Sequence, residues 1–294
     1  MRKILYLAAA MLTVSCGKEA EYDAQGIFEA TEVTLSAEAS GRILCFDVAE
    51  GEMLEAGAVV GAIDSLQLHL QRKQLIAQQS ALLSSRPDKE KQVASLRQQI
   101  ATQRKELQRV ENMLRDGAAT QKQHDDLAAQ ISILTNQLEA TLSTLDINTA
   151  TINENVAALE AQIAAIDDRI AKCNIVSHVG GTVLVKYAEA GELTAAGKPL
   201  MKVADLNNIY LRAYFTSDQL AKVNLGDEVT VTADFGGDER YDYRGRVVWI
   251  ASESEFTPKS IQTRDSRANL VYAVKIAVKN DGRLKIGLTG EVKF

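Results

Sequence analysis

Three cysteines and three histidines are the side chains here best suited to covalent or metal chemistry. His69, His124 and His178 lie far apart, with no carboxylate or cysteine at ligand spacing, and no zinc site is expected. Cys45 and Cys173 occupy apolar strand or helix-end positions, where a buried free thiol is the ordinary state. A disulfide between them is the alternative that an exporting compartment allows. No glycine-rich phosphate loop followed by Lys and Ser/Thr is present, so the chain is not expected to bind or split a nucleotide. No nucleophile–base pair or carboxylate cluster can be named either. The expectation is a protein without a catalytic site and without a cofactor.

Cys16 is different. Arg2 and Lys3 precede an apolar run from Ile4 to Val14 that is too short to span a bilayer. Thr13-Val14-Ser15-Cys16 then matches the pattern of a bacterial lipoprotein cleavage site. Residues 1–15 are therefore read as a signal peptide and Cys16 as a site of lipid attachment, with 16–26 as linker. The alternative is an ordinary secretory signal with an incidental cysteine. Removing the first fifteen residues leaves 31 basic against 39 acidic side chains, net −8 instead of −6. That balance, with no basic block, argues against a nucleic-acid partner.

The elements that carry these residues are organised by a repeat. Shifting the chain by 140 positions lays Gly41, Gly51 and Gly57 on Gly181, Gly191 and Gly197. Leu44, Glu52 and Ala56 meet Leu184, Glu192 and Ala196 in the same alignment. Matched glycines imply matched backbone needs, because Gly takes positive φ without a steric cost. The two segments read as two copies of one strand–turn–strand unit. Ile27 to Ser36 alternates as one entering strand before the first copy.

Between the copies the period changes from two to seven. Leu68, Leu75 and Leu82 begin the first arm, and Val93, Leu96, Ile100, Gln103, Leu107, Val110 and Leu114 continue it. Gly117 stops this helix, and Thr120 with Gln123 opens the next as a capping box. Ile131, Leu138, Leu145, Ile152, Leu159 and Ile166 form the second seam. So short a connection between sustained heptads predicts an antiparallel coiled-coil hairpin, each arm about 75 Å long. Pro87 interrupts the first arm. With the tip near 118, position 88 faces 148, where Asn148 and Asn155 fall on the extrapolated seam. Pro87 reads either as a joint where the rod bends or as a simple helix break.

After the second copy the chain is β-rich: Ile209–Phe215, Glu228–Asp234, Arg244–Ser252, Leu270–Val278 and Glu291–Phe294, with a short helix at Ser217–Val223. Turns fall at Gly226-Asp227, Gly236-Gly237 and Asp281-Gly282, and the pattern predicts a small barrel.

The duplicated unit around a helical hairpin resembles the split lipoyl-like (biotinyl-like) domain of HlyD-type periplasmic adaptors, or membrane fusion proteins. The resemblance rests on Gly41-Arg-Ile-Leu, Gly51-Glu and Gly57, the hairpin, then Gly181-Thr-Val-Leu, Gly191-Glu and Gly197. Trp249 to Thr263, Arg267 to Ile276 and Gly282 to Leu288 are similar to segments of adaptors serving ABC-type exporters. It implies an α+β fold in six parts: signal 1–15, linker 16–26, first lipoyl-like half with its entering strand 27–63, hairpin 64–172, second half 173–205, and barrel with membrane-proximal β region 206–294. It implies an adaptor, arranged as a homo-oligomeric ring and most simply a hexamer, linking an inner-membrane exporter to a TolC-like outer-membrane channel. The implied location is the periplasm of a Gram-negative bacterium, lipid-anchored to the inner membrane. By the same resemblance Arg109, Met113 and Thr120 at the hairpin tip would dock on the channel; Met and Thr replace the family's Leu and Ser. Arg109 as a solvated flank and Thr120 as a helix cap are the plainer readings.

Two other functions compete. A biotin or lipoyl carrier needs a modified lysine on the turn joining its halves, and here the hairpin occupies that place; Met201-Lys202 lies beyond the second copy's glycines. A structural envelope lipoprotein using the rod as a spacer would explain the lipid and the coiled coil, but not the split unit or the barrel.

Overall fold

The computed structural model describes residues 22–236, 239–256 and 270–294. Cys16 and the signal segment, Gly237, and the parts of the adaptor-like segments at 257–263 and 267–269 lie outside the described residues. The chain divides into two units. One holds the β structure up to Ala62 and again from Ile175; the other is Ile63–Asn174.

The β unit contains a barrel and a pair of small sheets. Six antiparallel strands close the barrel in the order β10 (Asn208–Phe215), β1 (Ala24–Glu29), β15 (Thr289–Lys293), β11 (Glu228–Asp234), β12 (Arg240–Ile250) and β14 (Leu270–Lys279). β14 returns to pair with β10 from Asn208↔Lys279 to Phe215↔Tyr272, which leaves no open edge in the ring. The inward set follows the period of two: Ile209, Leu211, Ala213 and Phe215 are buried on β10, and Val229, Val231 and Ala233 on β11. Phe28 fills the space over Gly290, where an added Cβ would meet the Phe28 ring at 2.9 Å.

The entering strand is corrected. Ile27–Ser36 is not one strand: β1 pairs with β10 and β15 in the barrel, while β2 (Glu32–Ser36) pairs with β9 (Pro199–Ala204) in a separate sheet. Alternation runs unbroken through both, so periodicity alone could not show that Ala30 and Thr31 hand the chain from one sheet to another.

The two glycine-marked copies, with β5 (Val59–Ile63) and β6 (Asn174–Val176), build two four-stranded sheets, β2-β9-β7-β4 and β6-β5-β3-β8. Each sheet takes one short strand from the other copy. β3 (Gly41–Phe46) pairs with β8 (Leu193–Thr194), and β7 (Gly181–Lys186) pairs with β4 (Met53–Leu54). The hydrogen bonds repeat the 140-position shift: the Gly51 N–H donates to the Val183 carbonyl at 2.8 Å, and the Gly191 N–H to the Ile43 carbonyl at 2.8 Å. Ile43, Phe46, Leu200, Met201 and Val203 form the buried layer. Gly51 and Gly191 have φ of 87° and 92°, and Gly57 and Gly197 have 88° and 86°, so these four turns need glycine. Gly41 and Gly181 serve a different purpose. Each starts a strand, and at Gly181 a Cβ would sit 2.5 Å from the Ala204 carbonyl oxygen, so close approach of backbones excludes a side chain there.

The second unit is the hairpin: α1 (Leu66–Ser84), α2 (Lys89–Arg115) and α3 (Gln121–Ala171). The 51 residues of α3 span about 77 Å at 1.5 Å per residue. The arms meet at the base, where the Ile63 N–H donates to the Cys173 carbonyl at 2.7 Å. Cys45 and Cys173 are both free thiols.

Candidate functional site

At the tip, α2 ends in a glycine cap. Gly117 has φ 73°, its N–H donates to the Leu114 carbonyl, and the Ala118 N–H reaches back to Met113 at 2.8 Å. These crossed bonds satisfy carbonyls that the helix end leaves free. Thr120 then caps α3: its hydroxyl accepts the Gln123 N–H at 3.4 Å, and Gln123 Oε1 accepts the Thr120 N–H at 2.9 Å. Thr120 therefore has a defined structural task. Arg109 and Met113 lie on the last two turns of α2. Arg109 is 75% exposed and pairs with Glu106 of the same helix at 3.0 Å, and Met113 is an exposed apolar side chain. A titratable group with no metal role also sits at the tip. His124 on α3 lies 3.6 Å from Glu111 on α2 and 3.1 Å from Asp125. The hydrogen bond to Asp125 is the main reason its pKa is raised above the ordinary histidine value; burial opposes the shift, and the charges of Asp125 and Glu111 add to it.

Lower on the rod, Pro87 stands in a non-helical stretch between α1 and α2. Asp88 starts α2 afresh, accepting the Lys91 N–H at 3.2 Å, and the side-chain bond to Lys91 holds its carboxyl below the usual range. Opposite the break, the expected facing of 88 and 148 falls between two observed contacts. Arg86 donates to Asn153 at 2.6 Å, and Lys89 pairs with Asp146. Three positions of the first arm thus face seven of the second. Three extended steps cover roughly 10 Å and seven helical residues about 10.5 Å, so the break keeps pace with an unbroken α3 while using four fewer residues. Asn148 and Asn155 do not occupy the seam; both are exposed, and Val156 is buried instead. The fully buried positions of α3, namely Leu134, Leu145, Val156 and Ile166, recur at steps of 11, 11 and 10. That period belongs to a nearly straight helix, so the extrapolation by sevens from Leu134 slips by one at Asn155, while the predicted seam through Leu145 reaches buried Ile166.

Below the break the arms are joined by polar rungs. Arg72 meets Asp167 at 2.5 Å, Gln79 meets Glu160 at 3.0 Å, and Arg86 meets Asn153. Both sides of this ladder step by seven. Leu68, Leu75 and Leu82 alternate with these residues on α1, and none of them is fully buried. Above the break Val93 and Ile100 are buried, and Arg97 and Arg109 pair within their own helix.

In the β base, Met201 is buried within β9 and Lys202 pairs with Glu32 at 2.8 Å. That hydrogen bond raises the Lys202 pKa, which keeps the amine charged and paired. This is a strand lysine, not the exposed turn lysine of a carrier. Among the described residues no group of three or more His, Cys, Asp or Glu could hold a metal, and no helix is long and apolar enough to cross a membrane.

Set against solved structures, the chain is similar over 92% of its length to MacA from Actinobacillus actinomycetemcomitans, covering 76% of that chain at TM-score 0.58 and 19% identity. It is similar over 92% to the membrane fusion protein Spr0693 from Streptococcus pneumoniae R6, covering 99% of it at TM-score 0.53 and 16% identity. This is the membrane fusion protein fold. Within it the closed barrel, the split lipoyl-like base and the hairpin are its three recognised parts, and the α+β architecture expected from the sequence is the one observed. Among curated sequences the chain is 32% identical over 121 residues to the UPF0194 membrane protein YE2891 of Yersinia enterocolitica, and 29% identical over 121 residues to YbhG of Salmonella gallinarum. Each match spans 41% of this chain and only 36% of the relative. No family model matches the chain.

Proposed function

We propose that this protein is the periplasmic adaptor subunit of a tripartite efflux or secretion system, joining an inner-membrane exporter to an outer-membrane channel. The observation that carries the reading is the replacement of the carrier turn by an arm of about 77 Å. A lipoyl-like base without its lysine has no covalent chemistry left, and a rod of that length is suited to spanning a gap. The fold shared with MacA over nearly the whole chain supports the same role.

In the finer reading the exporter is ABC-type and the channel TolC-like. Six copies form a ring through their lipoyl-like domains, and lipid on Cys16 tethers each to the inner membrane facing the periplasm. The barrel rests on the exporter; Arg109, Met113 and Thr120 meet the channel. The pump supplies the energy and the adaptor transmits it by packing, with Pro87 as the joint in the rod. The test is co-purification from membranes of the native host, combined with Arg109→Asp. An adaptor brings down a membrane pump, and the variant keeps its fold and its pump while export falls to background. A spacer lipoprotein brings down no pump, and unchanged export by Arg109→Asp excludes docking through the tip.

A further inference from the structure

The polar ladder gives the rod a property that its length alone does not. Every second seam position of the first arm below the break is polar: Arg72 and Gln79 between Leu68, Leu75 and Leu82, then Arg86 in the break. Their partners Asp167, Glu160 and Asn153 are exposed residues of α3; along this stretch α3 buries Val156 and Ile166, while α1 contributes no buried side chain to the hairpin. The Arg72 and Asp167 side chains are 42% and 47% exposed, so water and salt reach the rung. The ends of α1 are fixed differently from its middle. At one end the chain is pinned by the Ile63–Cys173 backbone bond; at the other the break separates it from α2, whose Val93 and Ile100 are sealed.

We infer that α1 is a salt-sensitive latch: it separates from α3 as a unit while the tip half of the hairpin stays closed. The ladder selects this segment for two reasons. The attraction between Arg72 and Asp167, the rung with charge on both sides, is screened by salt, whereas an apolar seam is not weakened by it. The break at Ser85–Asp88 also removes the continuous helical hydrogen bonds that would otherwise force α1 and α2 to open together. Release of α1 changes the stiffness of the lower rod without undoing the tip, and it does so whatever the tip binds.

Amide hydrogen exchange on the full mature protein tests this, read separately for 66–84 and 89–115. Exchange in α1 is expected to be at least about tenfold faster than in α2. It should quicken a further several-fold between about 0.05 and 0.5 M salt, while α2 is unmoved. The double variant Arg72→Leu, Gln79→Leu fills the seam with leucine and should slow α1 exchange to the α2 rate and remove its salt response. Equal protection of the two segments in the native chain overturns the latch. So does a rate in α1 that ignores salt, or a leucine variant that leaves it unchanged. Pro87→Ala separates the ladder from the break: if it alone brings α1 to the α2 rate and abolishes the salt response, the ladder has no part and the inference fails.

Discussion

The tip half and the base half of the hairpin share one spacing and differ in what fills it. Above Pro87 the first arm places Val93 and Ile100 in buried positions; below it only α3 contributes buried side chains, Val156 and Ile166, and Arg72 and Gln79 meet Asp167 and Glu160. A heptad therefore fixes where two helices touch, and the side chains at those points fix how firmly. Burying an aliphatic side chain contributes roughly 1.5–3 kcal/mol. An exposed ion pair contributes about 0–1 kcal/mol, so the two halves of one rod differ in strength.

The widest separation between the halves should come from truncating each seam. Ile100→Ala is expected to destabilise the hairpin by about 3 kcal/mol, whereas Arg72→Ala should cost less than about 1 kcal/mol. Urea unfolding of both variants checks this, and equal losses would break the comparison. A smaller effect belongs to the cap. Thr120→Ala should cost about 1 kcal/mol, and Thr120→Ser should recover most of it because the hydroxyl that accepts the Gln123 N–H is kept. If export falls in Thr120→Ala by more than stability explains, and recovers in Thr120→Ser, the hydroxyl also serves docking. The smallest effect is at His124. Its pKa in the folded protein lies above the ordinary histidine value near 6.5, so the folded state holds the proton more tightly than the unfolded chain. The stabilisation is complete below about pH 6.5 and is lost as pH rises through the raised value. Amide exchange at the tip, corrected for intrinsic rates, should quicken across that window, and His124→Gln should flatten the response; a flat profile in the native chain contradicts it.

How much of this was open to the sequence depended on whether the signal was local. Matched glycines reported the duplicated unit because Gly51, Gly57, Gly191 and Gly197 each meet a local backbone demand at positive φ. Thr120 and Gln123 announced the cap for the same reason. The seam from Leu145 to Ile166 was legible by sevens, since both ends are buried. Asn148 and Asn155 were misplaced because the same step was extended from Leu134, whereas the packed face moves on by 11 to Leu145 and Val156. Which residues of the first arm they meet depends on the non-helical stretch before α2, which no pattern within α3 records. The rungs were visible as Arg72, Gln79 and Arg86 against Asn153, Glu160 and Asp167, all stepping by seven, but pairing them needed the same missing register. Alternation likewise ran through Ala30 and Thr31 without marking the change of sheet. The tip histidine left no motif at all, since Glu111 and His124 meet only after the hairpin closes.

The exchange of short strands in the base also bears on how the chain folds. Neither glycine-marked copy holds a complete sheet, because β3 needs Leu193–Thr194 and β7 needs Met53–Leu54. Contacts between segments so distant in sequence form slowly when the intervening chain is slack. Here the intervening chain is the hairpin, whose turn at Gly117–Thr120 is local and whose arms can zip from it, residue by residue, towards Ile63 and Cys173. Zipping shortens the loop that remains to be closed. The arm thus acts as the base's own assembly guide, and a chain synthesised without residues 64–172 would have to find the same strand exchange unaided.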